Sequence, residues 1–540
     1  MSTDAPRTWG LSARAGALLL VAATYAPSLG NGWVWDDHEL LVGNPGLSSL
    51  SSLLLVDVWS PVTGVTSDLY RPLVMLTHAL GQALWTGPVV EHLVNLGLHL
   101  VAVGFVAGIA RRLGASETSA WLGAAVFGVH TGASEAVFWV TGRHDLVPAV
   151  MLLGGWLALL SRRSWAAAVL LGLAPFAKEP YLLTPLTVLV WAAARREVDI
   201  RALAGSISGA VLYIAVRAGL GLPLPAAAAA ASPFGPVGAG TARLLSLLFV
   251  PASASATALE VPEPALGAAS LLVCAAMLIA IGWAPRQWRT NSLTPIVAAL
   301  PIWLPTTLAA ARIGIVADRY AYLPFASLGV ALAVLVARRS PGDTTVGAPS
   351  PTRLAWLAWL LPLFLAPVTV IRGMDWFDDR TLFTADLQLD PTNPRAAFHV
   401  AFDLHTRQGD CARAIPLYRI ALDVEPRAAT NLQSCLMDDA HWAEAAALGP
   451  RASTGSGAMN TSRAYAQLGD LAKAVVWAKT ATERQPWRVE AWELYGRALA
   501  NLGRWEEATA ALSQATTLDP ENVAVRALRD KASERARSTP

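Results

Sequence analysis

Apolar runs of about 17–25 residues, the length that crosses a bilayer as one helix, follow one another through the first 371 residues. They fall near 12–29, 88–110, 118–140, 145–161, 164–178, 180–194, 202–220, 264–284, 292–311, 320–338 and 354–371. No soluble domain could bury so much apolar surface in one core. The chain of 540 residues is 54% hydrophobic and only 15% charged, against about 25% charged in ordinary soluble domains. The fold expected is all-α: a polytopic membrane bundle of about eleven spans. The net charge of +2 points to neither nucleic acid nor an acidic partner.

Some runs are ambiguous. Residues 11–29 have the outline of a signal peptide, with Arg7 and Arg14 ahead of an apolar stretch. The many spans that follow make an uncleaved first helix the simpler reading. The runs 164–178 and 180–194 are short enough to form one broken hairpin. The stretch 70–85, opening on Tyr70-Arg71-Pro72, reads as an interfacial or re-entrant helix.

Loop charge orients the bundle. Arg111-Arg112, Arg162-Arg163, Arg195-Arg196 with Arg201, Arg286 with Arg289, and Arg338-Arg339 with Arg353 fall in alternate loops. The positive-inside rule makes these cytoplasmic. The remaining loops, 30–87, 141–144, the turn at 178–180, 221–263 and 312–319, are then outside. The segment 221–263 contains a low-complexity stretch.

Beyond Ile371 the composition turns polar and a repeat appears. Gly409, Gly469 and Gly503 are each followed by an alanine five residues on (Ala414, Ala474, Ala508) and a proline seventeen on (Pro426, Pro486, Pro520). Gly469 and Gly503 are 34 residues apart, the tetratricopeptide period. Small residues suit close packing of paired helices, and proline ends the second helix of each pair. A shortened copy surrounds Ala440–Ala445. The domains expected are a membrane domain over 1–371, a linker over 372–394 and an α-solenoid of about four repeats over 395–540. Cys411 and Cys435 read as unpaired small hydrophobes; a disulfide would require an oxidising space.

The charged residues that carry chemistry gather on the outer side. Asp36 and Asp37 lie at a bilayer edge, where acidic pairs are costly and functional by default. Either could deprotonate a hydroxyl, and together they could share a divalent cation; the bland alternative is a helix cap or solvated loop charge. His92, Asn95 and His99 share one helix face, which must look into the bundle. His130, Glu135 and Arg143-His144-Asp145 lie along and just beyond the outer half of the third span, 118–140. Arg143 could grip a phosphate oxygen or pair with Asp145. Lys178 could do the same or pair with Glu179. Arg319, between Asp318 and Tyr320, is the preferred ligand for an anionic headgroup; the alternative is an Asp318–Arg319 surface pair. One base and several cations on one face suit transfer of a group away from a lipid-linked phosphate. With one base and no assigned nucleophile, inversion is the default. No glycine-rich phosphate loop suggests a soluble nucleotide donor.

Short motifs then recur in a fixed order: WDD with NP (Trp35-Asp36-Asp37, Asn44-Pro45), YRPL from Tyr70, H-x-x-N-x-x-x-H from His92, VH at Val129-His130, EAV from Glu135, GR-x-DL from Gly142, KE at Lys178-Glu179 and DRYAYLP from Asp318. Over nearly its whole length the chain resembles the transmembrane and tetratricopeptide-repeat protein O-mannosyltransferase-like family, of GT-C type fold. The resemblance implies transfer of a sugar, mannose in the family, from a polyprenyl-phosphate carrier to a protein hydroxyl. It implies catalysis at Asp36 and Asp37, with Arg71, His92, Asn95, His99, His130, Glu135, Arg143, Lys178, Glu179, Asp318, Arg319 and Tyr320 around the substrates. The repeats would present the protein acceptor on the same, extracytoplasmic, side. His144 departs from the family, which usually has a small residue there. The Ala-, Arg- and Trp-rich composition looks bacterial, so an inner membrane and a bacterial carrier are expected. Two other classes stay open: a non-enzymatic repeat scaffold for envelope assembly, and a flippase for lipid-linked sugars.

Overall fold

The computed structural model describes residues 8–222, 234–256, 272, 289–313, 316–337 and 357–538. Every regular element among them is helical. The chain forms two compact units, Met1–Leu382 and Phe383–Pro540. The division falls inside the stretch 372–394, where the helices Leu360–Asp375 and Asp379–Leu389 occupy most of the chain.

Among the described residues of the first unit, four helices are long and apolar enough to cross a membrane: Pro88–Arg112, Arg143–Leu160, Ile200–Gly219 and Asp318–Ala337. A fifth is reached if the bent pair Leu360–Asp375 and Asp379–Leu389 counts as one span. This corrects the expectation of about eleven. Apolar run length and helix length diverge because the runs are interrupted. The run 118–140 divides into the helix Glu117–Gly128, a 3-10 turn at Thr131–Ala133 and the short helix Ser134–Phe138. The runs 164–178 and 180–194 become Ser164–Leu173 and Thr184–Arg195, joined through the 3-10 turns Ala174–Phe176 and Glu179–Leu183. Pro175, Pro180 and Pro185 sit at these breaks, each lacking the N–H that a continuing helix requires. The stretch 70–85 is the single helix Pro72–Leu84. The expected span 264–284 and the loop residues Arg286, Arg338, Arg339 and Arg353 lie outside the described residues.

Small residues set how close these helices come. A Cβ on Gly209 would lie 1.9 Å from the Gly172 carbonyl oxygen, so Ser164–Leu173 and Ile200–Gly219 pack backbone to backbone, as membrane helices commonly do. The helices Pro88–Arg112 and Arg143–Leu160 also pack together. Their first turns lie side by side, because the Arg143 guanidinium donates to the Glu91 carbonyl at 2.7 Å. That shared end carries the candidate site.

The second unit is a stack of antiparallel helix pairs: Pro394–Thr406 with Cys411–Ala421, Ala428–Asp438 with Trp442–Ala447, Gly455–Gln467 with Leu471–Arg484, and Val489–Asn501 with Trp505–Leu518. Val523–Ser538 packs on the last pair. Ala414, Ala474 and Ala508 are fully buried where paired helices meet. The repeat glycines do something else. Gly409, Gly469 and Gly503 have φ of +67°, +80° and +79°, with open space where a Cβ would be. They make left-handed turns between paired helices and are not close-packing sites. In the shortened copy Ala440 takes this turn at φ +58°, and the helix after it has only 6 residues. Cys411 and Cys435 form a disulfide, correcting the unpaired reading. It ties the second helix of the first pair to the first helix of the shortened one.

Candidate active site

The acidic loop is held by aromatic stacking and backbone bonds. Trp35 adopts φ +57°, a conformation costly for a bulky residue and concentrated at functional sites. Its N–H donates to Asp379 at 2.7 Å. Its ring stacks on Trp139 at 5.3 Å, and Trp139 stacks in turn on Trp376 at 5.9 Å. The Trp139 indole N–H donates to the Val34 carbonyl at 3.1 Å.

The two aspartates are unequal. Asp37 is 1% exposed. Its Oδ2 accepts the Val34 N–H at 3.0 Å and its Oδ1 the Thr141 N–H at 2.9 Å. Burial pushes its pKa up to about 8, against the pull of these two donors, and the adjacent Asp36 carboxylate adds to the rise. Asp36 is half-buried. Asp37 therefore fixes the loop to the 141 backbone, and Asp36 is the carboxylate that solvent reaches.

Cations gather near Trp139 as well. The Arg319 guanidinium lies 5.0 Å from the Trp139 ring centre and 5.2 Å from that of Tyr320. Arg319 pairs with Glu135, which also accepts the Arg319 backbone N–H at 2.8 Å. Lys178 pairs with Asp145, and the Arg319 Nε lies 3.7 Å from the same carboxylate. Asp145, Lys178, Arg319, Tyr320, Tyr181 and Tyr322 line one cleft. Beside it Arg71 makes a fork on Glu179, at 3.0 and 2.8 Å to one oxygen, and donates to His144 Nδ1 at 2.8 Å. Glu179 also accepts the Tyr70 N–H.

Other expected residues have different surroundings. Arg143 is 0% exposed; its guanidinium bonds Glu91 at 2.8 Å and Asn95 at 2.7 Å. It is a buried strut, away from the cleft lining, and its partner is not Asp145. Likewise Lys178 pairs with Asp145 and not Glu179, and Arg319 with Glu135 and not Asp318. Asp318 pairs with Arg243 and accepts the Ser255 N–H at 2.7 Å. His92, Asn95 and His99 are all buried. Asn95 donates to the Trp139 and Val140 carbonyls. His99 bonds the Tyr322 hydroxyl at 2.8 Å and the Gly128 carbonyl at 2.9 Å, so both its nitrogens are committed. His130 accepts the Gly132 N–H and stacks on Phe325 at 4.0 Å.

Part of the chain has recognisable relatives. Residues 465–532 match the family model described as tetratricopeptide repeat. Protein O-mannosyl-transferase Tmtc1 of Drosophila melanogaster is 32% identical over 169 residues, 30% of this chain and 20% of its own length. Protein O-mannosyl-transferase Tmtc2 of the same fly is 34% identical over 157 residues, 27% and 16% of the two chains. Protein O-mannosyl-transferase TMTC3 of Mus musculus is 34% identical over 145 residues, 26% and 16%. Over these stretches the chain is similar to TMTC protein O-mannosyl-transferases. It spans about a fifth or less of the length of these relatives.

Several site residues lay outside the expected set. Glu91 anchors Arg143 and accepts His78 at 2.8 Å. Its position four before Asn95, on the same helix face, was the signal for it. Trp139 and Thr141 carried no signal beyond their place before Arg143. Each Asp37 oxygen accepts one backbone N–H, which leaves each a further lone pair. Among the described residues the one group of three His, Cys, Asp or Glu side chains at ligand spacing is His405, Cys411 and Cys435. Its sulfurs are consumed by the disulfide.

Proposed function

We propose that this chain is a membrane-embedded, inverting glycosyltransferase that moves a sugar from a polyprenyl-phosphate carrier to a serine or threonine hydroxyl of a protein on the extracytoplasmic face. The names of its TMTC relatives supply the reaction class. The observation that carries the reading for this chain is the join through Trp139: Trp35 of the acidic loop stacks on its ring and the Arg319 guanidinium lies over the same ring. A base and a phosphate-binding cation are thereby held together at one end of the bundle.

In this reading Asp36 accepts the proton of the acceptor hydroxyl as its oxygen attacks the anomeric carbon. The bond from that carbon to the carrier phosphate breaks, and the phosphate leaves with the electron pair. Arg319 and Lys178 compensate the charge that grows on it; Arg71, locked to Glu179, supports the cleft wall. Asp37 is a positioning residue. The repeats hold the acceptor segment, the usual work of such solenoids. The Cys411–Cys435 disulfide supports an oxidising compartment for them, such as the outer face of a bacterial inner membrane.

Loss of sugar transfer in Asp36→Asn and Arg319→Gln, in protein that remains folded in the membrane, is the test. Full function in a deletion strain carrying Asp36→Asn would favour a scaffold instead.

A further inference from the structure

A second recess lies at the opposite end of the bundle. The helix Arg143–Leu160 begins at the acidic site, and its 18 residues advance about 27 Å at 1.5 Å each. At its far end is a groove of about 390 Å³. Leu159, Val198 and Ile200 form its apolar wall, and Arg162, Arg195 and Arg201 line the groove beside them.

The carboxylates of the groove are already engaged. Glu197 takes both Arg162 nitrogens at 2.6 and 3.1 Å. Asp199 caps the helix Ile200–Gly219 through the Ala202 N–H at 3.0 Å and accepts the Ser164 hydroxyl at 2.6 Å. Among the described residues Arg195, Arg196 and Arg201 have no carboxylate partner; Arg195 reaches only the Asn291 amide at 3.5 Å, and Arg201 lies over the Trp165 ring at 5.4 Å. Arg162 and Arg196 both stand at φ +54°, in turns where glycine is the unstrained choice and another residue costs about 1–2 kcal/mol. The surroundings are also apolar and outward-facing: Trp165 is 69% exposed and Ile200 76%, as suits residues at a bilayer interface.

We propose that this groove binds an anionic phospholipid, its phosphate held by Arg195 and Arg201 and its upper acyl chain lying along Leu159, Val198 and Ile200. A soluble phosphate would use the arginines and leave the apolar wall uncovered; a zwitterionic lipid would use the wall and bring its own cation against the arginines. The proposal stands independently of the transferase reading, because the groove shares no residue with the acidic site.

The test is native mass spectrometry of the full chain released from nanodiscs of equal phosphatidylglycerol and phosphatidylcholine. The wild type retains phosphatidylglycerol in preference. An Arg195→Gln, Arg201→Gln double variant loses at least about tenfold of that retention, since each interfacial cation contributes about 1 kcal/mol. An Arg195→Lys, Arg201→Lys variant, with charge restored, recovers most of it and separates lost charge from lost folding. An Arg111→Gln, Arg112→Gln variant removes two charges outside the groove and keeps full retention. Equal retention of the two lipids, or equal loss in the Arg111, Arg112 variant, would overturn the proposal in favour of general surface charge. Displacement of the lipid by millimolar glycerol phosphate would overturn it in favour of a soluble ligand.

Discussion

The Thr141 N–H donates to Asp37 Oδ1 at 2.9 Å, across 104 residues of chain. With the Val34 N–H on the other oxygen, this bond makes Asp37 the clasp of the acidic loop, while the proposed base is the more exposed Asp36.

The two aspartates should therefore fail differently. Asp36→Asn lowers transfer by about 10²–10⁴-fold, the range for a lost general base, and leaves thermal stability within about 0.5 kcal/mol. Asp37→Asn presents an amide NH₂ to one of two backbone donors and leaves a buried N–H unsatisfied. It costs about 1–3 kcal/mol of stability, with transfer falling through loss of loop order. Melting curves and transfer assays on the two single variants separate the roles.

Burial raises the Asp37 pKa from 3.8 to about 8. Between those values the native chain holds a proton that the unfolded chain has released. Native stability contributed by this group is thus greatest at low pH and falls as pH rises through that window. Thermal unfolding of the wild type across it should show the decline, and Asp37→Asn should flatten it. An unchanged slope in the variant would assign the dependence elsewhere.

Trp139 joins the loop to Arg319. Trp139→Ala removes two ring stacks and the bond to Val34, and is expected to cost about 3–5 kcal/mol. Trp139→Phe keeps ring contact and loses the indole N–H donor, for about 1 kcal/mol. Denaturant unfolding in detergent, read by near-ultraviolet dichroism, ranks the two.

In the repeats the Cys411–Cys435 disulfide closes a loop of sequence separation 24. Paired Cys→Ser substitution should cost about 3 kcal/mol, and reductant should reproduce the loss in the wild type only. Ala440→Gly relieves the left-handed turn at φ +58° and should stabilise the unit by about 0.5 kcal/mol, the net of relieved strain and added chain entropy. Hydrogen exchange across residues 428–447 would localise both effects.

The charged residues of the site were legible in the sequence because an apolar chain makes each one conspicuous. Their partners were not. Arg143 with Asp145, Lys178 with Glu179 and Asp318 with Arg319 look like pairs on the page, yet neighbours one or two apart on a helix face different ways, as do adjacent residues in extended backbone. Each found its partner on another element: Arg143 on Glu91, Lys178 on Asp145, Arg319 on Glu135, Asp318 on Arg243, Glu179 on Arg71. The repeats were legible because their period is local. The number of full spans was not, because hydropathy is blind to the breaks at Pro175 and Pro180. The disulfide was missed because pairing depends on how two repeats stack.

Sugar transfer itself is the most direct measurement. Wild type and Asp36→Asn, each reconstituted with a pool of polyprenyl-phosphate sugars and extracted membrane proteins, would be compared by intact mass for added hexose. A mass gain with the wild type alone is the expected result. An equal gain with both would remove Asp36 from the reaction, and no gain with either, while Asp36→Asn still complements a deletion strain, would contradict the transferase account.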